Sequence, residues 1–310
     1  MIRIIVNPTA GGGRARNVAA SLVEHLRRRG DSCVLSETRE RGHALLLARE
    51  AVRERPRTVV AAGGDGTVHE VANGLLLGAY EHGRPPPPLA VLPIGTGNDF
   101  AKLIGATRDP HAVADMLRAS SVRWLDAGIV EWREDREYFV NGMGLGVDVE
   151  VVRQIERLPR FRGVTGYLIG AVRALTRYRP IELELRIDGA LERTRIMMVA
   201  VTNGYCIGGG FRMCPAARPD DGKLDVCVVR ELGWIGVVRT LPRALRGTHG
   251  GVPGVTITRA DAVEVVSGDG SDLVFQLDGE LREPRNTQSL RIAIVPNALP
   301  VVVADGSKRY

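Results

Sequence analysis

The sequence predicts an α/β plus mostly-β protein. An N-terminal three-layer α/β domain would span residues 1–124, and an antiparallel β-sandwich-like domain with helical inserts residues 125–288. The last stretch, about 289–310, could return to either domain. Three observations carry this reading. In the first part, short apolar runs alternate with segments of helical period, the order of a parallel sheet. Three of those runs, ending near Val6, Ala62 and Leu92, discharge into glycine-rich turns; in parallel α/β sheets such turns lie at the carboxyl edge, where ligands bind. After about Ser121 the pattern becomes short alternating runs separated by turns, the signature of antiparallel β structure.

In chain order, Ile2–Val6 reads as a buried strand leading into Asn7–Gly13 and a helix that ends at Gly30. Ser32–Ser36 is a second strand, with Thr38 just beyond it, and Gly42–Arg53 is an amphipathic helix. Thr58–Ala62 is a third strand, stopped by Gly63-Gly64-Asp65-Gly66. Thr67-Val68-His69-Glu70 has the Thr-x-x-Glu spacing of a capping box, and Val68, Val71, Ala72, Leu75 and Leu76 follow at helical spacing. Leu89–Leu92 is a fourth strand, entering Pro93–Phe100 and a helix beginning near Asp99. In the second part the strand candidates are Asp126–Val130, Tyr138–Val140, Ile181–Ile187, Ile196–Val201, Leu224–Val229, Val263–Val266 and Leu273–Leu277. Helical inserts fall at 147–158, 164–178 and 234–246, and two closing runs are Ser289–Val295 and Leu299–Val303.

A strand, glycine turn and helix aim free N–H groups and a positive dipole end at one point, which suits a phosphate. Asp65 is the unusual member, since a carboxylate there repels a phosphate unless a metal or hydroxyl intervenes. An ordinary tight turn capped by Asp65 is the alternative. Neither Gly-Lys-Ser/Thr nor G-x-G-x-x-G occurs at this turn.

Composition narrows the classes. Apolar residues make up 44% and charged residues 25%, ordinary for a soluble globular protein. No run approaches the ~18 apolar residues of a membrane span, and the start shows no signal-peptide h-region. Cys33, Cys206, Cys214 and Cys227 lack C-x-x-C spacing, so they read as reduced thiols in a cytosolic protein. The net charge is +6. Arg153, Arg157, Arg160, Arg162, Arg173, Arg177 and Arg179 face only Glu156 within residues 151–180, so this stripe holds the whole excess. It suits an anionic membrane surface or a solvated helix face. An aromatic content of 5% with no interleaved stacking motif counts against nucleic acid.

Gly63-Gly64-Asp65-Gly66-Thr67 followed by Glu70 resembles the nucleotide loop of the diacylglycerol kinase catalytic family, which is related to sphingosine and ceramide kinases and, distantly, to NAD kinases. Further motifs resemble that family in the same order: Gly95-Thr96-Gly97-Asn98-Asp99-Phe100, Phe139–Asp148, Asn203-Gly204 with Gly208–Gly210, Pro215–Val226, and Leu277-Asp278-Gly279-Glu280. The ordered set covers about residues 4–300. His69 departs mildly, where asparagine is common.

The resemblance implies an NAD kinase/diacylglycerol kinase-like fold and an ATP- and Mg²⁺-dependent lipid kinase. Asn7, Pro8, Thr9, Ala10, Gly11, Thr38, Gly64, Asp65, Gly66, Thr67, Val68, His69, Glu70 and Thr96 would contact the nucleotide, with Asp65 acting through Mg²⁺. Glu280 would be the general base, with Asp278 orienting it or contributing to metal binding; a plain Asp-Gly hairpin is the alternative. Asp221, with the carbonyls of Arg218 and Lys223, would hold a structural Mg²⁺, the alternative being a turn without metal. The expected partners are a lipid substrate, an anionic membrane surface met peripherally from the cytoplasm and, as an option, a second copy of the chain. Rival readings are a kinase for another hydroxylated lipid, such as a sphingoid base, and a nucleotide-binding regulator without turnover.

Overall fold

The computed structural model describes residues 1–119, 121–156 and 178–304. The chain divides into two compact units, Met1–Asp126 with the C-terminal residues from Asn297, and Ala127–Pro296.

In the first unit, β1 (Ile2–Val6), β2 (Cys33–Glu37), β3 (Thr58–Gly63) and β4 (Leu89–Pro93) are all parallel, in the order β4-β3-β1-β2. The end of β15 (Ser289–Val302) lies parallel to β4 through Val301 and Leu89. Every residue of β3 and β4 is buried, as expected of strands covered on both faces. Side chains alternate between those faces. Ile2, Ile4, Val6, Val60, Ala62, Ala90 and Leu92 share one core with Leu22 and Leu26 of α1 (Ala15–Arg28) and Val113 and Leu117 of α5 (Pro110–Ala119). Two further helices, α2 (His43–Glu54) and α3 (Asp65–His82), pack closely against each other. At Gly74 in α3 a side chain would meet the Leu45 carbonyl and, at 2.8 Å, Ala48 Cβ, so only glycine allows this approach. The short α4 (Asp99–Leu103) follows β4.

The strands of the second unit are β5 (Val122–Trp132), which begins in the first unit, β6 (Asp135–Phe139), β7 (Gly142–Gly146), β8 (Ile181–Ile187), β9 (Ala190–Thr202), β10 (Leu224–Arg230), β11 (Val255–Ala260), β12 (Ala262–Ser267), β13 (Phe275–Leu277) and β14 (Glu280–Arg282), with the start of β15. Among the described residues, the pairings of β5 with β6, β7 with β9 and β13, β8 with β9 and β12, β10 with β9 and β11, β12 with β15 and β13 with β14 are antiparallel. The order β14-β13-β7-β9-β8-β12-β15 is extended by β10, which pairs with β9 and β11, and β5 pairs with β6. Val199 and Val201 of β9 enter one core with Val226 and Val228 of β10. Met198 and Ala200 enter a second with Cys227 and Val229, closed by α6 (Val147–Glu156) and α7 (Trp234–Arg246). Strands buried on both faces lose the apolar–polar alternation, which is why these read as plain apolar runs.

Three strands were absent from the sequence reading. Glycines at 142, 144 and 146 gave β7 the look of a loop, and β11 and β14 are short and half-exposed. The runs Ser289–Val295 and Leu299–Val303 form one strand despite Pro296. The helix expected at 164–178 and most of the arginine stripe lie outside the described residues. The four cysteines are buried and unbridged.

Candidate nucleotide and catalytic site

The nucleotide candidate is built from three turns at the carboxyl ends of β1, β3 and β4. After β1, Asn7 anchors itself through its N–H to Ala62 O at 3.1 Å. Its Oδ1 accepts from Thr9 N at 3.1 Å and Thr9 Oγ1 at 2.8 Å, the self-bonding that makes asparagine a turn former. Thr38 closes β2 by donating its N–H to Val6 O at 2.8 Å. After β3, Gly64 precedes α3 in an extended conformation, and no side chain caps the helix. After β4, Ile94 and Gly95 both donate to Gly63 O, at 2.7 and 3.2 Å.

These turns meet backbone to backbone. A Cβ on Gly95 would stand 2.5 Å from Gly64 Cα, and one on Gly11, whose φ is +61°, 2.7 Å from Ile94 Cγ2. The peptide groups of three turns thus lie together beside an uncapped helix N-terminus, the arrangement that suits the phosphates of a nucleotide. Of the expected contacts, Asn7–Gly11, Thr38, Gly64, Asp65, Gly66 and Thr96 are at least partly exposed. Thr67, Val68 and His69 are buried, and His69 lies against Asn73. They offer a ligand backbone alone.

Two carboxylates take different roles from those expected. The capping box does not form, because α3 begins three residues early, at Asp65 with Gly64 as its N-cap. Glu70 turns instead to α2, whose N-terminus has no cap of its own. Its oxygens accept from Gly42 N at 2.8 Å and Ala44 N at 3.1 Å. Glu70→Ala is therefore expected to destabilise the fold by about 0.5–2 kcal/mol, read from urea unfolding. Unchanged stability with weakened nucleotide binding would make Glu70 a ligand contact.

Asp65 was expected to face the phosphates through a metal. Its Oδ2 accepts from Asn98 N at 2.6 Å and its Oδ1 from Asp99 N at 2.8 Å, tying the β3 turn to the β4 turn. Asn98 is held left-handed at φ 52° and donates through Nδ2 to Gly95 O at 2.8 Å. The clasp explains how a carboxylate sits in such a turn, since two amides share its charge. Arg14 donates to Gly11 O at 3.0 Å. Arg16 forks onto Glu37 at 2.8 and 2.7 Å, and this hydrogen-bonded partner holds the Glu37 carboxyl below its ordinary value.

The catalytic candidate lies in the second unit, where β13 and β14 form a hairpin with Leu277 opposite Glu280. Asp278 and Gly279 both have positive φ, 50° and 93°, which makes this a type I′ turn. Asp278 ties the turn to a neighbouring segment. Its carboxylate accepts from Val140, Asn141 and Gly142 N at 3.0, 2.9 and 3.0 Å. The Asn141 carbonyl in turn accepts from Asn203 and Gly204 N, both at 2.9 Å. Residues 140–142, 203–204 and 278 thus form one hydrogen-bonded knot, with Glu280 half-buried beside it.

Residues 1–130 match the diacylglycerol kinase catalytic domain, and residues 141–303 match the YegS C-terminal NAD kinase beta sandwich-like domain. The chain is 32% identical over 280 residues to a diacylglycerol kinase of Bacillus subtilis (strain 168), covering 90% of this chain and 89% of that one. The chain belongs to the diacylglycerol kinase family. A diacylglycerol kinase of Mycobacterium tuberculosis (strain H37Rv) is 29% identical over 304 residues, 97% of this chain and 94% of that one. A solved diacylglycerol kinase structure from Bacillus anthracis str. Sterne superposes with a TM-score of 0.71 at 21% identity, over 98% of this chain and 96% of that one. At that identity the likeness carries the fold.

For a diacylglycerol kinase family member, the acidic turn is less inviting to a metal than the sequence implied. Asp221 Oδ1 accepts from Lys223 N at 3.2 Å, and its Oδ2 pairs with Arg259. Asp220 pairs with Arg218 at 3.4 Å, and Lys223 with Asp261 at 2.7 Å. Asp225 is buried, and burial pushes its carboxyl up to about 6 against the pull of Arg259. Among the described residues no group of three His, Cys, Asp or Glu side chains is placed to hold a metal. With Arg259 already on Asp221, the turn as folded does not fit a structural Mg²⁺. The nucleotide cradle does fit the phosphates that this kinase family implies. Sequence reasoning missed the amides of Asn98 and Asp99 as partners of Asp65, and Asn203 as part of the knot under Glu280.

Proposed function

We propose that the chain is an ATP-dependent kinase that phosphorylates the hydroxyl of diacylglycerol at an anionic membrane surface. The observation that carries the nucleotide half is the backbone-walled cradle of Gly11, Gly64 and Gly95 beside the uncapped N-terminus of α3. Glu280 takes the proton of the acceptor hydroxyl as its oxygen bonds to the γ-phosphorus, and the bond to the β-phosphate oxygen breaks to release ADP. The family's Mg²⁺ supplies charge neutralisation on the nucleotide. The glycine amides at 64 and 66 replace water around the phosphates.

An apolar cavity in the second unit supports a lipid acceptor. It measures about 80 Å³ and, Asp148 and Thr240 apart, is lined by apolar residues including Val151, Met198, Phe211 and Leu241. Phosphorylation of a short-chain diacylglycerol by the purified chain with ATP and Mg²⁺, followed as ADP release, tests this reading. ADP release independent of added lipid would contradict it.

For the membrane, Arg153 drops out as a contact. It pairs with Glu283 at 2.7 Å and Glu150 at 3.6 Å. Each remaining arginine of the stripe near the surface adds about 1 kcal/mol of attraction to anionic lipid, weakened by salt. Binding to phosphatidylglycerol-containing vesicles is therefore expected to fall steeply as salt rises. Arg157, Arg173 and Arg177 changed to Gln should raise the KM for vesicle lipid and spare activity on a short-chain soluble lipid. Equal losses on both substrates would remove the membrane role. No helix among the described residues is long and apolar enough to cross a membrane.

A further inference from the structure

Behind the Asp278-Gly279 turn runs a buried polar chain that the chemistry above does not use. Gln276 on β13 is 3% exposed and Asp148, in the first turn of α6, is 2% exposed. Gln276 Nε2 donates to Asp148 Oδ2 at 2.7 Å, and Gln276 Oε1 accepts Gly279 N–H at 2.6 Å. The backbone N–H of Gly279 only donates, so Gln276 turns Oε1 to it and Nε2 to Asp148. Asp148 accepts from the amide in the one orientation that can hold Gly279.

The surrounding strand is shaped for this chain. Gly144 of β7 lies opposite Gln276 in register. A Cβ at Gly144 would overlap the Asp148 carboxylate and come within 3.0 Å of Gln276 Nε2. Phe275 and Leu277, on either side of Gln276, belong to the apolar core, so Gln276 alone of the three points toward α6. An amide and a carboxylate buried together are costly unless each is bonded, and here each is.

We propose that Asp148 and Gln276 are positioning residues for the base, acting through Gly279. This rests on the assignment of Glu280 as that base. β13 and β14 are three residues each, and so short a hairpin does not hold its own geometry. Outside ties of two kinds add to the pairing of β13 with β7 and pin the turn: those of Asp278, its carboxylate on the amides of 140–142 and its N–H on Gly142 O at 2.8 Å, and that of the Gly279 N–H on Gln276. With both in place, the residue leaving the turn, Glu280, starts from one backbone position. A displacement of about 1 Å at such a group costs roughly 10²-fold in rate.

Steady-state kinetics of the full chain on ATP and a short-chain diacylglycerol test this. Gln276→Leu and Gly144→Ala are each expected to lower kcat about 10²-fold, with KM for ATP and the circular dichroism spectrum unchanged. Gln276→Glu sets two carboxylates against each other and should lose at least as much. Combining it with Asp148→Asn exchanges donor and acceptor, so the amide now at 148 donates and the carboxylate now at 276 still accepts from Gly279. That double variant should regain most of kcat, a recovery that a merely space-filling role would not give. Failure of the double variant to recover overturns the proposal even where Gln276→Leu does not fold. Normal kcat in Gln276→Leu and Gly144→Ala beside an inactive Glu280→Gln also overturns it, and leaves the base in place. Normal turnover in Glu280→Gln removes the base, and this role with it.

Discussion

Glu280→Gln is expected to lower kcat by roughly 10²–10⁴-fold, the range for losing a general base, while ATP affinity and thermal stability stay unchanged. The change keeps the side chain's size and removes its capacity to take a proton. The neighbouring carboxylate, Asp278, accepts from three backbone amides. Arg282, two residues on, pairs with Glu137; burial opposes its charge, and Glu137, Glu280 and Asp278 together keep the guanidinium protonated. Near-normal kcat in this variant would take the base away from Glu280.

Asp65→Asn should act on the other substrate. The clasp offers two acceptor oxygens to two N–H groups, Asn98 at 2.6 Å and Asp99 at 2.8 Å. An asparagine keeps one acceptor and turns a donor toward the second N–H. Leaving a partly buried donor unpaired costs about 1–3 kcal/mol, so a nucleotide that needs both turns together should bind roughly 5–150-fold more weakly by the same measure. Equilibrium binding of a fluorescent ADP analogue reads this directly. The loss is expected with or without Mg²⁺, because the clasp is protein to protein. A loss confined to Mg²⁺-containing buffer would return Asp65 to the metal.

The parallel half of the fold was legible because its signals are local. Buried runs at Ile2–Val6, Thr58–Gly63 and Leu89–Pro93 end in glycine turns, and these turns are where the cradle forms. The antiparallel half was legible in outline only. β7 hid behind its glycines, and β9 and β10 face cores on both sides, so neither alternates. At the site, residue positions were readable but side-chain partners were not. Glu70 sits at capping-box spacing and caps a different helix, 28 residues back in the chain. Asp65 bonds amides 33 and 34 residues away. Asp221 carries the charge of a metal ligand, and Arg259, 38 residues on, takes that charge first. Each of these outcomes was decided by a partner brought near through tertiary folding, which spacing along the chain does not encode.

The most direct test of the whole account is to incubate the purified chain with γ-labelled ATP, Mg²⁺ and a total lipid extract, then identify the labelled species. The expected result is label in a phosphatidic acid, absent when Glu280→Gln replaces the wild-type chain. Label in a phosphorylated sphingoid base, or no labelled lipid at all, would contradict it.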